Sequence, residues 1–427
     1  MPPVPAGPQS CIKNVAAGRE PQEDQMQITA DSFASLQFTI GWESGEARHT
    51  EHILAQKANL WRDQFPPGVK EQLIGARPGQ SITLEYAPGD LLPLPESTKA
   101  RTVPRTSFRS PELRGRTIAP RFGRFYPLGL LSGIPGVFRA NATPFRVTGI
   151  EKAALTADWN HPLAGRNLTL GIEILDAAPK DTDTGGRVTD WTEFLLSGGP
   201  GMQARSQGEP TDFTEPDALQ RDDPGDDAQF YAEPRLVGHV DRQASACLGE
   251  EYARLVKPGH EVLDLMSSVE SHLPDTHGSN VTGLGLNAQE MAQNPALNRH
   301  VVHDLNTNPT IPFADSSFDL LLCSMSVEYL TRPREVVGEM IRVLRPGGLV
   351  AISFSNRWFP PKTTYLWTDL HPFERLGLVA DYLLQGPQCT ALQTVTYHNW
   401  WRPPEDRYSG TLTQADPIFL ATARKPG

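Results

Sequence analysis

Short apolar segments alternate with amphipathic stretches through the second half of the chain. Leu320–Met325 is almost wholly apolar, which is typical of a strand buried on both faces of a parallel sheet. Pro333–Leu344 repeats apolar residues at helical spacing before the turn residues 345–348, which predicts a helix packed on a core. The succession predicts an α/β domain with a doubly wound sheet. Its other predicted elements are strands at Val262–Leu265, Val281–Asn287, Val301–Leu305 and Leu349–Phe354, and helices at His239–Val256 and Ala288–Leu297.

The first half of the chain predicts a smaller α+β domain. A polar arm that contains several prolines, residues 1–30, precedes it and is expected to be flexible. Residues 177–230 are rich in glycine, proline and acidic residues, which favours a linker to the second domain. The elements predicted in the first domain are strands at Leu36–Glu43, Ser81–Tyr86 and Gly171–Leu175, and a helix at Val69–Ile74.

Composition narrows the function classes. The length of 427 residues suits two or three domains, and a net charge of -11 makes nucleic-acid backbone an unfavourable partner. The chain has neither an apolar run long enough to span a bilayer nor an amino-terminal secretory signal. Its four cysteines form no CxxC pair, which disfavours a metal site and fits a reducing compartment. We therefore expect a cytoplasmic protein without a metal and without a nucleic-acid or membrane partner.

The strand Val262–Leu265 ends near an acid and leads into small or flexible residues. It contains Asp264 and is followed by Met266, Ser267 and Ser268. Ligands in open α/β sheets bind just beyond the carboxyl end of such a strand. Backbone N–H groups of the turn, and of a helix expected to follow it, would face the ligand there. The pattern predicts a nucleotide-type site at this point.

Two further motifs make the resemblance of the second domain specific. The sequences IPFADSSFD and RVLRPGG occur in order, and residues 231–427 resemble the class I S-adenosylmethionine-dependent methyltransferases. The resemblance implies a Rossmann-like fold, S-adenosylmethionine as cofactor and Asp264 beside the methionine amino group. Gly285 stands where the family has an acid that binds the ribose hydroxyls, and Asn287 would supply one hydrogen bond instead. Asp304 matches the acid that accepts from the adenine amino group, and the remaining implied cofactor contacts are Met266, Ser267, Gly283, His303, Leu305 and Ser324.

The same resemblance places the methyl acceptor after the fourth and fifth strands. A base is needed only when the acceptor is a hydroxyl or a protonated amine, and Glu328, Tyr329 and His371 are the candidates. Arg357 and Lys362 suggest an anionic or polar acceptor. Other readings stay open: Asp264 and Asp304 could cap turns, and the aromatic residues near 358 could be core. The implied acceptor contacts are Ser326, Asn356, Arg357, Trp358 and Lys362.

In the first domain, the motif NHPLAG at Asn160–Gly165 precedes an alternating strand. Residues 31–176 resemble the SlyD-like subgroup of FKBP-type prolyl isomerases, which implies a half-barrel interrupted by a flap at about 93–157. The family's pocket residues differ here, and the corresponding positions fall near His49, at Leu91 or Leu92, and at Leu170. This implies either an isomerase or a module that docks a peptide or protein client, while Asn160 and His161 could simply form a turn.

Three functions are compatible with the whole sequence. The leading expectation is a methyltransferase acting on a small-molecule or peptide acceptor, with the first domain docking a substrate or client. The alternative is an isomerase or folding helper whose second domain binds a ligand without turnover. The third is a scaffold without catalysis.

Overall fold

The computed structural model describes residues 26–181, 187–197, 204–385 and 389–427. Eleven strands of the described residues form one sheet, and smaller sheets lie beside it. The strands are β1 (Ser32–Glu43), β2 (Ala47–Asn59), β3 (Ser81–Tyr86), β4 (Ala100–Pro104), β5 (Glu112–Leu113), β6 (Arg116–Thr117), β7 (Phe125–Pro127), β8 (Pro144–Ile150), β9 (Ala154–Asp158), β10 (Leu168–Pro179), β11 (Arg205–Ser206), β12 (Glu209–Pro210), β13 (Glu261–Leu265), β14 (Asn280–Gly285), β15 (Arg299–Val302), β16 (Phe318–Ser324), β17 (Leu344–Phe354), β18 (Thr390–His398) and β19 (Ile418–Arg424). The helices are α1 (Val69–Leu73), α2 (Trp191–Ser197), α3 (Asp227–Phe230), α4 (Arg242–Leu255), α5 (Ala288–Ala292), α6 (Pro333–Val343), α7 (Tyr365–Asp369) and α8 (Pro372–Gln385).

The carboxyl-terminal half of the sheet has the order β15-β14-β13-β16-β17-β19-β18. Strands β13 to β17 are parallel, and β19 is antiparallel to both of its neighbours. Apolar side chains of α6 and α8 pack in one core, and those of α4 pack in a second core that shares the same strands. Since successive strand residues point to opposite faces, helices on both faces need strands that are apolar throughout. The predicted doubly wound α/β architecture of this half is confirmed.

The sheet continues without interruption into the first half of the chain. Strand β18 pairs in parallel with β2, and the order proceeds through β1 and β10 to β3. At this seam the His49 Nδ1 atom lies 2.7 Å from the Thr394 hydroxyl, and the His52 ring stacks on Tyr397. The Asn399 amide donates to the Leu54 carbonyl at 2.6 Å. The two predicted domains therefore share one sheet.

Several described residues of the region predicted as a linker pack into the core. Helix α2 buries Trp191, Leu195 and Leu196, and the Trp191 indole donates to Asp63 at 2.9 Å. Phe213 and Ala218 are also buried in the main core. The composition favours a linker because large apolar residues are few, but the apolar residues at 191 and 194–196 also allow a brief helix packed on a neighbour, and α2 is that helix. Residues 1–25 of the predicted arm lie outside the described residues.

A small sheet, β4-β9-β8-β7, lies within the interval predicted as an insertion and has its own apolar core. It contacts the carboxyl-terminal half through Arg124, whose guanidinium pairs with Glu374 of α8 at 3.0 Å. None of the described helices is long and apolar enough to cross a membrane.

Candidate functional site

A cleft opens where β13, β14, β15 and β16 end. It holds about 760 Å³ of empty space, counted with its open mouth. Parallel strands bring their carboxyl ends to one edge of the sheet, so residues far apart in sequence meet here. The cleft is lined by Asp227, Tyr231, Arg235, His239, Met266, Ser267, Ser268, Gly285, Leu286, Asn287, Glu290, His303, Asp304, Leu305, Asn306, Met325, Ser326, Tyr329 and Phe359.

The loop after β13 differs from the expected turn and helix. No helix forms between β13 and β14; residues 266–279 are turn and coil. The hydroxyls of Ser267 and Ser271 both donate to Asp264 Oδ2 at 2.6 Å. Serine side chains bonded in this way compete with helical backbone bonding, and Pro274 restricts helix formation further. The expectation of a helix N-terminus facing the ligand was wrong.

Asp264 itself lies behind this loop and not among the residues that line the cleft. It is buried, and burial raises the pKa of its carboxyl although the two serine hydroxyls lower it in part. Met266 does line the cleft and has φ of 56°, a left-handed conformation that costs a non-glycine residue about 1–2 kcal/mol. The loop is thus held in place by the carboxylate beneath it.

The end of β14 approaches that loop closely. A Cβ atom on Gly285 would lie 2.3 Å from the Ser267 carbonyl oxygen, so no side chain fits there without moving the loop. A Cβ atom on Gly283 would lie 2.5 Å from a methyl group of Leu297. Gly285 lines the cleft, whereas Gly283 serves the packing behind it.

Asn287 and Glu290 line the cleft with their polar atoms already bonded. The Asn287 side-chain oxygen caps α5 by accepting from the backbone N–H of Gln289 and Glu290, and its amide nitrogen donates to the Tyr231 carbonyl at 2.9 Å. The Glu290 carboxylate accepts from the Arg235 backbone N–H at 2.7 Å and from the Ser268 hydroxyl at 2.6 Å. These two side chains fix the wall of the cleft to its loop.

The residues after β15 also line the cleft. Asp304 accepts from the Thr307 hydroxyl at 2.6 Å and from the Asn306 backbone N–H, which is the turn-capping arrangement left open from the sequence. His303 Nε2 lies 2.8 Å from the Asn308 carbonyl. Both side chains, and that of Leu305, line the cleft.

Beyond β16, Ser326 and Tyr329 line the cleft while Ser324 does not. Ser324 lies 2.7 Å from the Tyr252 hydroxyl, beneath the cleft. The Tyr329 oxygen accepts from the Phe359 backbone N–H at 2.9 Å. Burial raises the pKa of Tyr329 well above its usual value, with Glu328 adding to the effect, so this phenol stays protonated at neutral pH.

Two proposed catalytic side chains lie away from the cleft. Glu328 is buried, neither carboxylate oxygen has a hydrogen-bond partner among the described residues, and burial raises its pKa to about 8. His371 is exposed before α8 and bonds locally to the backbone of Phe373. The order of the motifs predicted that both side chains would lie near the acceptor. In the structure the direction of the side chains and the course of the loops place them away from the cleft.

The implied acceptor contacts from the fifth strand also miss the cleft. Arg357 pairs with Asp416 at 3.0 Å, and Trp358 packs under Arg375. Lys362 is fully buried between Asp223 and Asp227 at 3.0 and 3.1 Å. Asn356 is exposed and does not line the cleft.

One wall of the cleft comes from a segment that sequence patterns did not single out. Tyr231, Arg235 and His239 precede α4, and the Arg235 guanidinium carbon lies 4.8 Å from the centre of the Phe359 ring. Burial, then the nearby His272, lowers the pKa of His239, so its imidazole is neutral at pH 7 and able to accept a proton. The cluster of aromatic and basic residues just before α4 is the sequence feature that could have indicated this wall.

The first half of the chain holds a smaller apolar cavity of about 230 Å³. Leu91 and Leu170, two of the positions expected in a peptide pocket, line it together with Leu195 and Leu196 of α2. The Leu196 carbonyl lies 3.1 Å from His161 Nε2. His49 lies elsewhere, at the seam with β18, and Asn160 bonds to Glu96 and Asp158 in a turn. The chain's own helix α2 therefore lies against this cavity.

Comparison with known proteins assigns the second half of the chain. Residues 268–352 match the family described as "Methyltransferase domain". The 24-methylenesterol C-methyltransferase 2 of Oryza sativa subsp. japonica is 33% identical over 135 residues, which cover 28% of this chain and 36% of that protein. The ubiquinone/menaquinone biosynthesis C-methyltransferase of Laribacter hongkongensis is 40% identical over 70 residues, 16% of this chain and 28% of that protein. The chain thus spans about a third of the length of these two methyltransferases.

Another relative belongs to the isomerase family that the first half of the chain was predicted to resemble. A probable FKBP-type 16 kDa peptidyl-prolyl cis-trans isomerase of Pseudomonas fluorescens is 28% identical over 153 residues, 36% of this chain and 93% of that protein. The matched family, the strand order and the cleft at the carboxyl edge agree for the other half. The carboxyl-terminal half of this chain therefore contains a segment, residues 268–352, that matches a methyltransferase domain.

Proposed function

We propose that this protein transfers a methyl group from S-adenosylmethionine to a small-molecule or peptide acceptor. The observation that carries the proposal is the cleft at the ends of β13, β14 and β15, most of whose lining residues lie within the segment 268–352 that matches a methyltransferase domain. The acceptor is unspecified, because Arg357 and Lys362, the side chains that suggested its charge, do not line the cleft.

The residues present suit this cofactor. Gly285 leaves room at the end of β14 where a Cβ would fill the space beside the loop. Leu286 and Leu305 offer apolar surface for a base, and Asp304 offers carboxylate oxygens. Arg235 offers a cation, as argued below. The cleft therefore combines the apolar and polar contacts that a ligand with a nucleoside and an amino-acid part requires.

The chain's own residues would act by positioning. When bound, S-adenosylmethionine supplies a methyl group already activated by a charged sulfur. Tyr329 and Phe359 would close the acceptor side against water, which strengthens electrostatic contacts inside. His239, neutral at pH 7, would take a proton from an acceptor that has one to lose. Glu328 and His371 have no part in this proposal, because they do not line the cleft.

Calorimetry with S-adenosylhomocysteine tests the proposal. We expect a dissociation constant in the micromolar range for the intact chain. Gly285→Ala should weaken binding about tenfold or more, because overpacking of about 1–3 kcal/mol falls on the loop that lines the cleft. Gly338→Ala is the matched control, since a Cβ there meets open space. No detectable heat at millimolar ligand, or equal binding by the two variants, would count against the proposal.

A second role is proposed for the first half of the chain: docking of a peptide or protein client, with little or no isomerase activity. The favouring observation is that Leu195 and Leu196 of the chain's own helix α2 line the apolar cavity beside Leu170, so this helix closes one side of it. We expect the cis/trans exchange rate of an X–Pro peptide to stay at its solvent value in the presence of the protein. A catalysed rate well above solvent, measured by NMR exchange, would restore the isomerase alternative.

A further inference from the structure

The Arg235 guanidinium is the cationic group of the cleft that most lacks a partner. Its Nη2 atom donates weakly to the Phe230 carbonyl at 3.3 Å, while its Nη1 atom is buried and has no hydrogen-bond partner among the described residues. A buried donor on a charged group loses its hydration without replacement, which is costly. An anion bound in the cleft would accept a hydrogen bond from this Nη1 atom and would compensate the charge of the guanidinium.

Aromatic rings hold the guanidinium in position. Its central carbon lies 4.6 Å from the Phe230 ring centre, 5.4 Å from Tyr231 and 4.8 Å from Phe359. The Arg235 backbone N–H is fixed in addition by Glu290 at 2.7 Å. Stacking on rings pre-organises the planar fork, so little side-chain entropy is lost when it binds a carboxylate.

Two anion-binding devices common in such a fold are missing or in use among the described residues. No helix follows β13, so no helix N-terminus faces the cleft from that loop. The Ser267 backbone N–H donates to the Leu284 carbonyl at 2.9 Å. The cleft's acids cannot serve an anion, and Asp227 already accepts from Arg221 and Asn306. Arg235 is the permanently charged cation among the residues that line the cleft.

We infer that Arg235 binds the carboxylate of the methionine part of the methyl donor. The inference rests on the proposed function, because it assumes that S-adenosylmethionine occupies this cleft. A carboxylate is the only anionic group of that molecule. Two parallel N–H donors of a guanidinium match its two oxygens, and a charge-assisted bond of this kind is stronger than a neutral one. Arg235 is thus a cofactor-binding residue that fixes the amino-acid end of the methyl donor.

Two ligands separate this role from a general effect on the cleft. S-adenosylhomocysteine carries the amino-acid carboxylate, whereas 5′-methylthioadenosine lacks the whole amino-acid part. We expect Arg235→Ala to weaken S-adenosylhomocysteine about 10- to 100-fold and to leave 5′-methylthioadenosine within about twofold, as measured by calorimetry on the full chain. Arg235→Gln keeps the stem of the side chain but not the charge, and serves if the alanine variant unfolds. Arg242→Ala, at an exposed arginine paired with Glu405, is the control and should change neither affinity.

Each result has a distinct meaning. Equal weakening of both ligands would show that Arg235 only shapes the cleft, and unchanged binding of both would show that it is not a contact; either overturns the inference. Failure of the unaltered protein to bind either ligand would sink the proposed function and this inference with it. Binding of both ligands by the unaltered protein upholds the cofactor site even when the role of Arg235 fails.

Discussion

Replacing Glu51 by glutamine is expected to raise the free energy of unfolding by roughly 4 kcal/mol at pH 8 and by less than about 1 kcal/mol at pH 5. Glu51 lies on β2 beside Thr396 of β18 and Ile40 of β1. It is buried, and neither of its carboxylate oxygens has a hydrogen-bond partner among the described residues. Burial raises its pKa from 4.5 to about 8.

The sign of the effect follows from the direction of that shift. In the unfolded chain the carboxyl ionises near pH 4.5, whereas in the folded protein it stays protonated up to about pH 8. The stability of the original protein is therefore fully present below the unfolded pKa and is lost as the pH rises toward 8. Glutamine has no proton to lose, so its advantage grows across this window.

Urea denaturation of both proteins at several pH values between 5 and 8 measures the difference. Glu71→Gln, on an exposed face of α1, is the matched control and should show no such trend. Glu328→Gln offers a second test, since burial also raises the pKa of Glu328 to about 8. A constant difference across the pH range would show that Glu51 is ionised in the folded protein and has a partner.

The sequence could predict the elements that carry motifs. The succession of elements in the doubly wound half was predicted because strands such as β16 have an apolar centre and α6 has a regular apolar stripe. Bounds differ by a few residues, and α5 ends at Ala292 and not at Leu297. Local pattern is sufficient for such elements, since their own residues decide their type.

Long-range pairing could not be predicted in the same way. The contact of His49 with Thr394 joins residues 345 positions apart. The sequence of one strand shows that its edge can pair with another strand, but it does not show which strand that will be. Burial of Lys362 depends on Asp223 and Asp227, which come from the region predicted as a linker. A lysine can be buried only when an acidic partner compensates its charge, and the local sequence does not show whether the fold brings such a partner close.

The residues of the site likewise fall into those that the local sequence could predict and those that depend on long-range packing. Cleft residues at strand ends, such as Met266, Gly285 and Asp304, were predicted because fold and motif fix where strands end. Arg235 and Tyr231 were missed because the segment before α4 has no periodic pattern. Asp264 was identified, but its serine partners turn it toward the loop, an arrangement that depends on atomic packing.

Replacing Arg124 by methionine is expected to lower the free energy of unfolding by about 3–5 kcal/mol. The side chain is 2% exposed and pairs with Glu374 at 3.0 Å and with Glu215 at 3.2 Å. Burial alone would lower the pKa of Arg124, but Glu374 and other nearby groups raise it, so the guanidinium is charged. Its removal would leave two carboxyl groups buried without their cation, which costs more than the pair contributes in isolation.

The matched control is Arg121→Met, because Arg121 pairs with Asp212 at 3.2 Å where both side chains are partly exposed. That variant should change stability by less than about 1 kcal/mol. Adding Glu215→Gln and Glu374→Gln to Arg124→Met should recover part of the loss, since neutral amides need no counter-charge. Equal losses for Arg124→Met and Arg121→Met would contradict the expected dependence on burial.

The shape of the unfolding transition of Arg124→Met tests whether the shared sheet makes both halves of the chain unfold together, in addition to testing the ion pairs of Arg124. Arg124 precedes β7 in the small sheet, Glu374 lies on α8, and β2 pairs with β18. Because these contacts link both halves of the chain, the loss should shift a single transition rather than create a second one. Circular dichroism and tryptophan fluorescence should therefore report the same midpoint for Arg124→Met. Two separate midpoints would mean that the shared sheet does not make the halves unfold together.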